Sequence, residues 1–212
     1  MFQEKRKIYW MYGTICALGI IIYIAAGRFS GQAKAADYQK HMAQEILRFH
    51  VIANSDSEED QALKMKVKEG VVSYVSTLTQ VSEDLESTKY IISLYLDEIE
   101  QEAQRIIREE GYSYDTKVVL TESYFPIKTY GEAVFPAGVY QALKIEIGKA
   151  EGKNWWCVLY PNLCFVDSAY GVLEEDQKEM LKEVLTEEEY DSIFNADSKD
   201  IKISFKLFSG RE

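Results

Sequence analysis

The sequence predicts an α/β domain of the α+β kind, a two-layer sandwich in which a mixed sheet of about five strands carries amphipathic helices mainly on one face. Three observations lead there. Segments such as Val139–Ile147 and Ile201–Leu207 alternate apolar and polar residues with period two, as half-buried strands do. Two long stretches, Glu58–Leu78 and Ser82–Glu110, space their apolar residues as amphipathic helices do. The resulting order, β-α-α-β-β-β-α-α-β, groups the helices in pairs, which suits helices segregated against one sheet.

Leu47–Ala53 opens the domain, with Leu47, Phe49, Val51 and Ala53 on one face and Arg48, His50 and Ile52 on the other. Asn54-Ser55-Asp56-Ser57 ends this strand with several N-cap residues, and Ser57 with Asp60 approximates a capping box. Glu58, Glu59 and Asp60 then fall in the first helical turn, where the helix dipole favours negative charge. Leu63, Val67, Val71, Tyr74, Val75 and Leu78 form the stripe of the first helix; Ile92, Tyr95, Leu96, Ile99, Ala103 and Ile106 form that of the second. Gly111 is placed to end it in a left-handed conformation.

Lys117–Ser123 is the next strand. Phe135–Asp167 reads as a long strand, a turn bracketed by Gly148 and Gly152, and a returning aromatic strand, Trp155–Tyr160, closed by Pro161. Leu173–Leu185 is helical, Thr186 with Glu189 caps a short helix ending near Phe194, and Ile201–Leu207 is the last strand. Each strand has one apolar and one mixed face, which predicts a sheet covered on one side only.

Residues 1–35 are unlike the rest. Lys5, Arg6 and Lys7 precede an uncharged run, residues 8–26, whose helix would be about 28 Å long, near the hydrocarbon thickness of a bilayer. The basic cluster on its N-terminal side predicts that everything after Arg28 lies outside the cytoplasm. Ala33-Lys34-Ala35 has the small-x-small form of a signal peptidase site, yet the apolar run is long for a signal peptide. Residues 1–35 are therefore a signal peptide or a signal anchor, residues 36–45 a spacer, and residues 46–212 one extracytoplasmic domain.

The formal net charge is −11, and since residues 1–35 carry five Lys/Arg and one Glu, the remainder carries −15. That argues against nucleic acid as a partner, because phosphate binding needs a cationic footprint. No cofactor motif occurs. Two histidines and no CxxC spacing argue against zinc. Asp56–Asp60 lacks the spacing of a calcium loop, and a helix start explains it.

Cys157 and Cys164 flank the Pro161 turn. In an exported domain they are either a disulfide or two buried thiols. A nucleophilic reading, Cys157 with His50 and an acid such as Asp167, would make the chain a secreted cell-wall or peptide hydrolase; no oxyanion-hole motif surrounds Cys157. Trp155 and Trp156 point to opposite faces, one toward the core and the other a candidate contact anchor. The mixed sheet face collects Arg48, His50, Lys117, Lys144, Lys202 and Lys206, with the turn at Ser55-Asp56 beside it, and is the candidate partner-contact surface.

Two blocks, LRFHVIANSDSEEDQALKMKV (Leu47–Val67) and PAGVYQALKIEIGKAEGKNWWCVLYPNLCFVD (Pro136–Asp167), together resemble the stage II sporulation protein R family of endospore-forming bacteria. The resemblance spans roughly Ala43 to Asp167. Asn162 departs from the family's pattern, which has a second proline there. The resemblance implies a protein made in the forespore and exported to the space between forespore and mother cell. There it would signal to a membrane-embedded aspartic protease of the mother cell, which removes the pro-sequence of sigma-E. It favours a cleaved or partly released N-terminal segment. It carries over no catalytic residue.

Overall fold

The computed structural model describes Gly19, Tyr23, residues 36–164 and residues 173–195. Most of the apolar run at residues 8–26, Asp167, and the expected strand Ile201–Leu207 with Lys202 and Lys206 lie outside the described residues. The chain divides into two compact units, Met1–Lys40 and His41–Glu212. Among the described residues no helix is long and apolar enough to cross a membrane.

Residues 36–45 are helical (α1) and lead into β1 (Leu47–Ile52). Helix α2 (Glu58–Leu78) starts where expected: the Ser57 hydroxyl accepts from the Asp60 backbone N–H at 3.2 Å, and three acids fill the first turn. After a short 3₁₀ turn (Thr79–Val81), the expected second helix is two, α3 (Leu85–Leu94) and α4 (Leu96–Glu109). The break falls at Tyr95, whose N–H is shared between the carbonyls of Ile91 and Ile92, both at 3.2 Å. No glycine or proline marks it, and the apolar stripe continues through it, so periodicity alone could not show it. α3 begins at Leu85 because Asp84 and Ser87 form a reciprocal capping box. Helices α5 (Glu175–Val184) and α6 (Glu187–Phe194) follow the sequence reading, Thr186 and Glu189 capping the second.

The main sheet is mixed, with four described strands in the order β2 (Thr116–Phe125), β5 (Gly138–Ile147), β1, β6 (Asn154–Tyr160). A separate two-stranded ladder, β3 (Lys128–Tyr130) with β4 (Ala133–Phe135), was not anticipated; three-residue strands leave too little alternation to read. The fold class is as predicted, but one connection is not. β5 and β6, expected to return on each other, do not pair. β1 lies between them, parallel to β5 and antiparallel to β6.

The connection between β5 and β6 bonds to the end of β1. Gly152 N–H donates to the Ala53 carbonyl at 2.9 Å, and Lys149 N–H to Asn54 Oδ1 at 3.0 Å. The two glycines that suggested a hairpin turn serve this passage. A Cβ on Gly152 would lie 2.2 Å from the Ser55 carbonyl oxygen, and Gly148, at φ +57°, sits against Asn54.

The helix-covered face of the sheet buries Leu47, Phe49, Val51, Leu143 and Ile145 against α2, α3 and α4. Each such side chain contributes about 1.5–3 kcal/mol by leaving water. The second face is not open, as one-sided coverage predicted. Tyr140, Ala142, Val158 and Phe125 are buried there beneath Met42 of α1, Phe135 of β4, Leu181 of α5 and Ile193 of α6. Among the described residues this layer covers about half of that face; the side chains of the other half are mostly partly exposed.

Candidate functional site

The uncovered half of the second face is built by strand register. Across the sheet, Val119, Lys144, His50 and Trp156 form one row, and Lys117, Glu146, Ile52 and Asn154 form the next. Alternation turns both rows to the same side. Lys117 is exposed at the corner, and Lys144 is bridged to Glu146 at 2.6 Å. Trp156 is half-buried, with Lys128 Nζ 6.0 Å above its ring. Three lysines, one acid and an indole thus share a shallow surface. It can engage an acidic segment by charge and hold it by aromatic contact.

His50 supports this surface from below and does not stand on it. Its ring stacks on Trp156, with centroids 3.8 Å apart, and meets Phe125 edge-on. Nε2 pairs with Asn154 Oδ1 at 2.7 Å, which selects the tautomer that donates from Nε2. Nδ1 is buried and has no hydrogen-bond partner among the described residues. Burial pushes its pKa down to about 4, so the ring is neutral at neutral pH.

Arg48 corrects the expectation more sharply. It is fully buried, one row below His50, because the α1, β3–β4, α5 and α6 layer closes over it. Its guanidinium lies 4.4 Å from the Phe125 ring centroid and 5.0 Å from that of Tyr140. Nε donates to the Cys157 carbonyl and Nη2 to the Tyr130 hydroxyl, both at 3.1 Å, while Nη1 has no partner among the described residues. Burial lowers its pKa, opposed by Tyr130 and Tyr140. Neither Arg48 nor His50 places a charge on this surface; the cations that do are Lys117, Lys144 and Lys128. Lys128 was missed because β3 gives no strand signal.

Trp155 belongs to the opposite face, edge-on to Phe49 at 6.0 Å with Lys68 Nζ 5.0 Å above it. Ser55 and Asp56 are committed to a latch between β1 and the β5–β6 connection. The Ser55 hydroxyl donates to Asp60 Oδ2 at 2.5 Å, Asn54 Nδ2 joins at 2.8 Å, and Lys153 N–H donates to Asp56 Oδ1 at 2.6 Å. Burial would raise the Asp60 pKa, but the hydrogen bonds from Ser55 and Asn54 hold it below the usual carboxylate range. Lys64 Nζ completes the latch on the Lys153 carbonyl at 3.1 Å.

Cys157 and Cys164 are joined in a disulfide with Cα atoms 5.4 Å apart. Cys157 pairs with Phe49 in register, so it faces the helix-covered core, whereas His50 faces the other side. The cysteine–histidine pair of the hydrolase reading is therefore not assembled. Among the described residues no cluster of three or more His, Cys, Asp or Glu could hold a metal ion.

Comparisons with known proteins agree with the two sequence blocks. A family model described as Stage II sporulation protein R matches residues 43–170, a span that includes every described strand. The chain is also 34% identical over 180 residues to Stage II sporulation protein R of Bacillus subtilis (strain 168), covering 81% of this chain and 80% of that protein. No solved structure matches the chain.

Proposed function

The chain belongs to the stage II sporulation protein R family and functions in sporulation; from that premise we propose that it is an exported signalling protein that works by protein–protein contact. Its target is a membrane-embedded aspartic protease of the mother cell, and its effect is to activate processing of pro-sigma-E. The protein crosses the forespore membrane by its N-terminal segment, led by Lys5, Arg6 and Lys7, and acts in the intermembrane space.

The observation that carries this reading is the half-face on which Lys128 lies over the Trp156 ring and Lys144 and Lys117 extend the same side of the sheet, on a domain otherwise strongly acidic. A cationic patch on an acidic protein steers and orients an acidic partner, and a half-buried indole supplies the apolar anchor such contacts use. The separation of Cys157 from His50 gives contact, and not hydrolysis, the better support. The test adds the purified chain to membranes that carry only the protease and its pro-protein. Processing that depends on the added chain is expected. No processing, with the chain folded and the protease intact, overturns the reading.

A further inference from the structure

One long edge of the sheet is guarded over only half of its length. In β2 the odd-numbered residues bond inward to β5; the ladder continues at its head with Gly148 N–H donating to the Asp115 carbonyl at 2.8 Å. The even-numbered residues therefore turn their backbone groups outward. Helix α4 occupies the first two of these. Val118 N–H donates to Glu100 Oε2 at 2.8 Å, and Thr116 N–H to Gln104 Oε1 at 3.2 Å. Beyond Glu100 the guard ends. Among the described residues nothing accepts from the N–H groups of Leu120, Glu122 and Tyr124.

The side chains along this stretch also differ from those of a protected edge. Edges are ordinarily blunted by lysine, proline, bulges or short length. Here the open half is regular, without proline, and ends in an exposed apolar pair. Tyr124, 62% exposed, is the register partner of Val139, 51% exposed. Only Glu122 puts a charge among them.

We infer that the outer edge of β2 from Leu120 to Tyr124 is a strand-addition site, which takes an extended segment of the partner protein as a further strand of the sheet. The inference rests on the contact reading above and names how the contact is made. The occupant alternates. On the helix side its residues lie beside Leu120, Glu122 and Tyr124, which calls for an apolar–basic–apolar pattern. Its intervening residues fall on the other side, in line with Thr121 and Ser123, whose rows continue to Ala142 and Tyr140; the row of Val119 and Lys144 is the next one along.

A second copy of this chain fits poorly. Pairing Leu120–Tyr124 with the same span of another copy sets Glu122 directly opposite Glu122, in a protein of net charge −11. A partner strand with a basic residue at that place turns the same carboxylate into a register mark.

The site can be tested in the full-length chain in sporulating cells. Glu122→Pro removes an outward N–H and sets a ring on the edge while leaving the β2–β5 bonds in place. Tyr124→Lys keeps the backbone and removes the apolar contact. Both variants should be exported at normal abundance and lose pro-sigma-E processing by tenfold or more. A photo-crosslinking side chain at position 122 should join the chain to the protease, and one at position 144 should do so as well. A crosslink from 122 to a second copy, or within the chain to residues 201–207, overturns the inference. So does crosslinking from 144 alone with normal processing in both edge variants; in that case contact stands and strand addition falls. Crosslinks from neither position, with processing unaffected by the edge variants, overturn the contact reading itself.

Discussion

His50 lies flat against Trp156 across the β1–β6 ladder, ring centroids 3.8 Å apart and planes inclined by 19°. Two residues that read as separate surface features are one unit: the histidine ring is the floor on which the Trp156 indole rests. An imidazole in that position has to stay neutral, since charging it would bury a cation beneath Trp156 and beside Phe125.

The pH dependence follows with a definite sign. The folded pKa of His50 is about 4, against 6.5 for the ordinary side chain. Above the unfolded value neither state holds the proton, and His50 contributes no slope. As pH falls from 6.5 toward 4 the unfolded chain binds a proton that the folded chain refuses, so stability falls with it. Below that the slope ends. His50→Phe keeps a ring under Trp156 and removes the proton. Its urea midpoint should drop less between pH 7 and pH 5 than that of the unaltered protein. Equal drops in the two proteins would show that His50 is charged in the folded state.

Arg48 leads to a different expectation. It is a fully buried cation held by aromatic rings, one carbonyl and one phenol, with Nη1 unpartnered among the described residues. Replacing such a group by an apolar side chain of similar length is often neutral or stabilising, because the desolvation cost disappears with the charge. Arg48→Met should therefore stay within about 1 kcal/mol of the unaltered protein or exceed it. Arg48→Ala, which leaves a hole among Phe125, Tyr130, Phe135 and Tyr140, should lose about 3 kcal/mol or more. Arg48→Met should also signal normally, since the side chain reaches no surface. Denaturant titration of the two variants separates volume from charge, and a large loss in Arg48→Met would show that the cation–π contacts dominate.

The passage of the β5–β6 connection over β1 predicts a contrast between two glycines. A Cβ at Gly152 meets backbone, the Ser55 carbonyl oxygen at 2.2 Å, and backbone there cannot move without opening the latch. Gly152→Ala should cost about 2–3 kcal/mol. At Gly70 the obstacle is Ile106 Cδ1 at 2.3 Å, the free end of a side chain, and alanine in a helix gains about 1 kcal/mol over glycine. Gly70→Ala should stay within about 1 kcal/mol of the starting protein. If the two melt alike, the connection is not held against β1.

These positions show what the sequence made legible. Helix starts were local: Ser57 and Asp60, or Thr186 and Glu189, bond within four residues, so the pattern announces itself. The alternation of β5 and β6 was also visible, and so was the placing of Trp155 and Trp156 on opposite faces. The neighbour of each strand was not. That β1 separates β5 from β6 depends on hydrogen bonds between residues about a hundred positions apart, such as Lys153 N–H to Asp56, and alternation does not encode them. The same limit explains Arg48. Its strand position suggested an open face, and only the placement of α1, the β3–β4 ladder and the last helices shows it to be closed.

The disulfide gives a chemical prediction. Cys157 and Cys164, seven positions apart, close a short loop, for which chain entropy gives about 2–3 kcal/mol. The double variant Cys157→Ala, Cys164→Ala should lose about that much and should still activate the protease. Peptides from the protein in sporulating cells, alkylated at once and digested without reduction, should contain the two residues linked. Recovery of both as alkylated thiols refutes the bond in the cell.

The contact surface is tested by charge reversal. Lys117 and Lys144 occupy adjacent rows of the uncovered half-face, and neither anchors the fold: Lys117 is exposed, and Lys144 makes a single bridge to Glu146. A single partly exposed bridge of this kind contributes about 1 kcal/mol at most, so Lys117→Glu with Lys144→Glu should fold and accumulate normally. If the half-face receives an acidic segment, the reversal turns attraction into repulsion, and the association rate and its salt dependence should both fall. Activation should drop at least tenfold. The control is Lys66→Glu with Lys89→Glu, two helix-side lysines in exposed pairs with Glu110 and Glu86. Lys178 would be a poor control, because it ties α5 to Glu132 at 2.7 Å. Normal activation by the control and failure by the reversal place the encounter on this half-face. Normal activation by both leaves the three lysines as a solvated surface, and the partner must then be sought elsewhere on the domain.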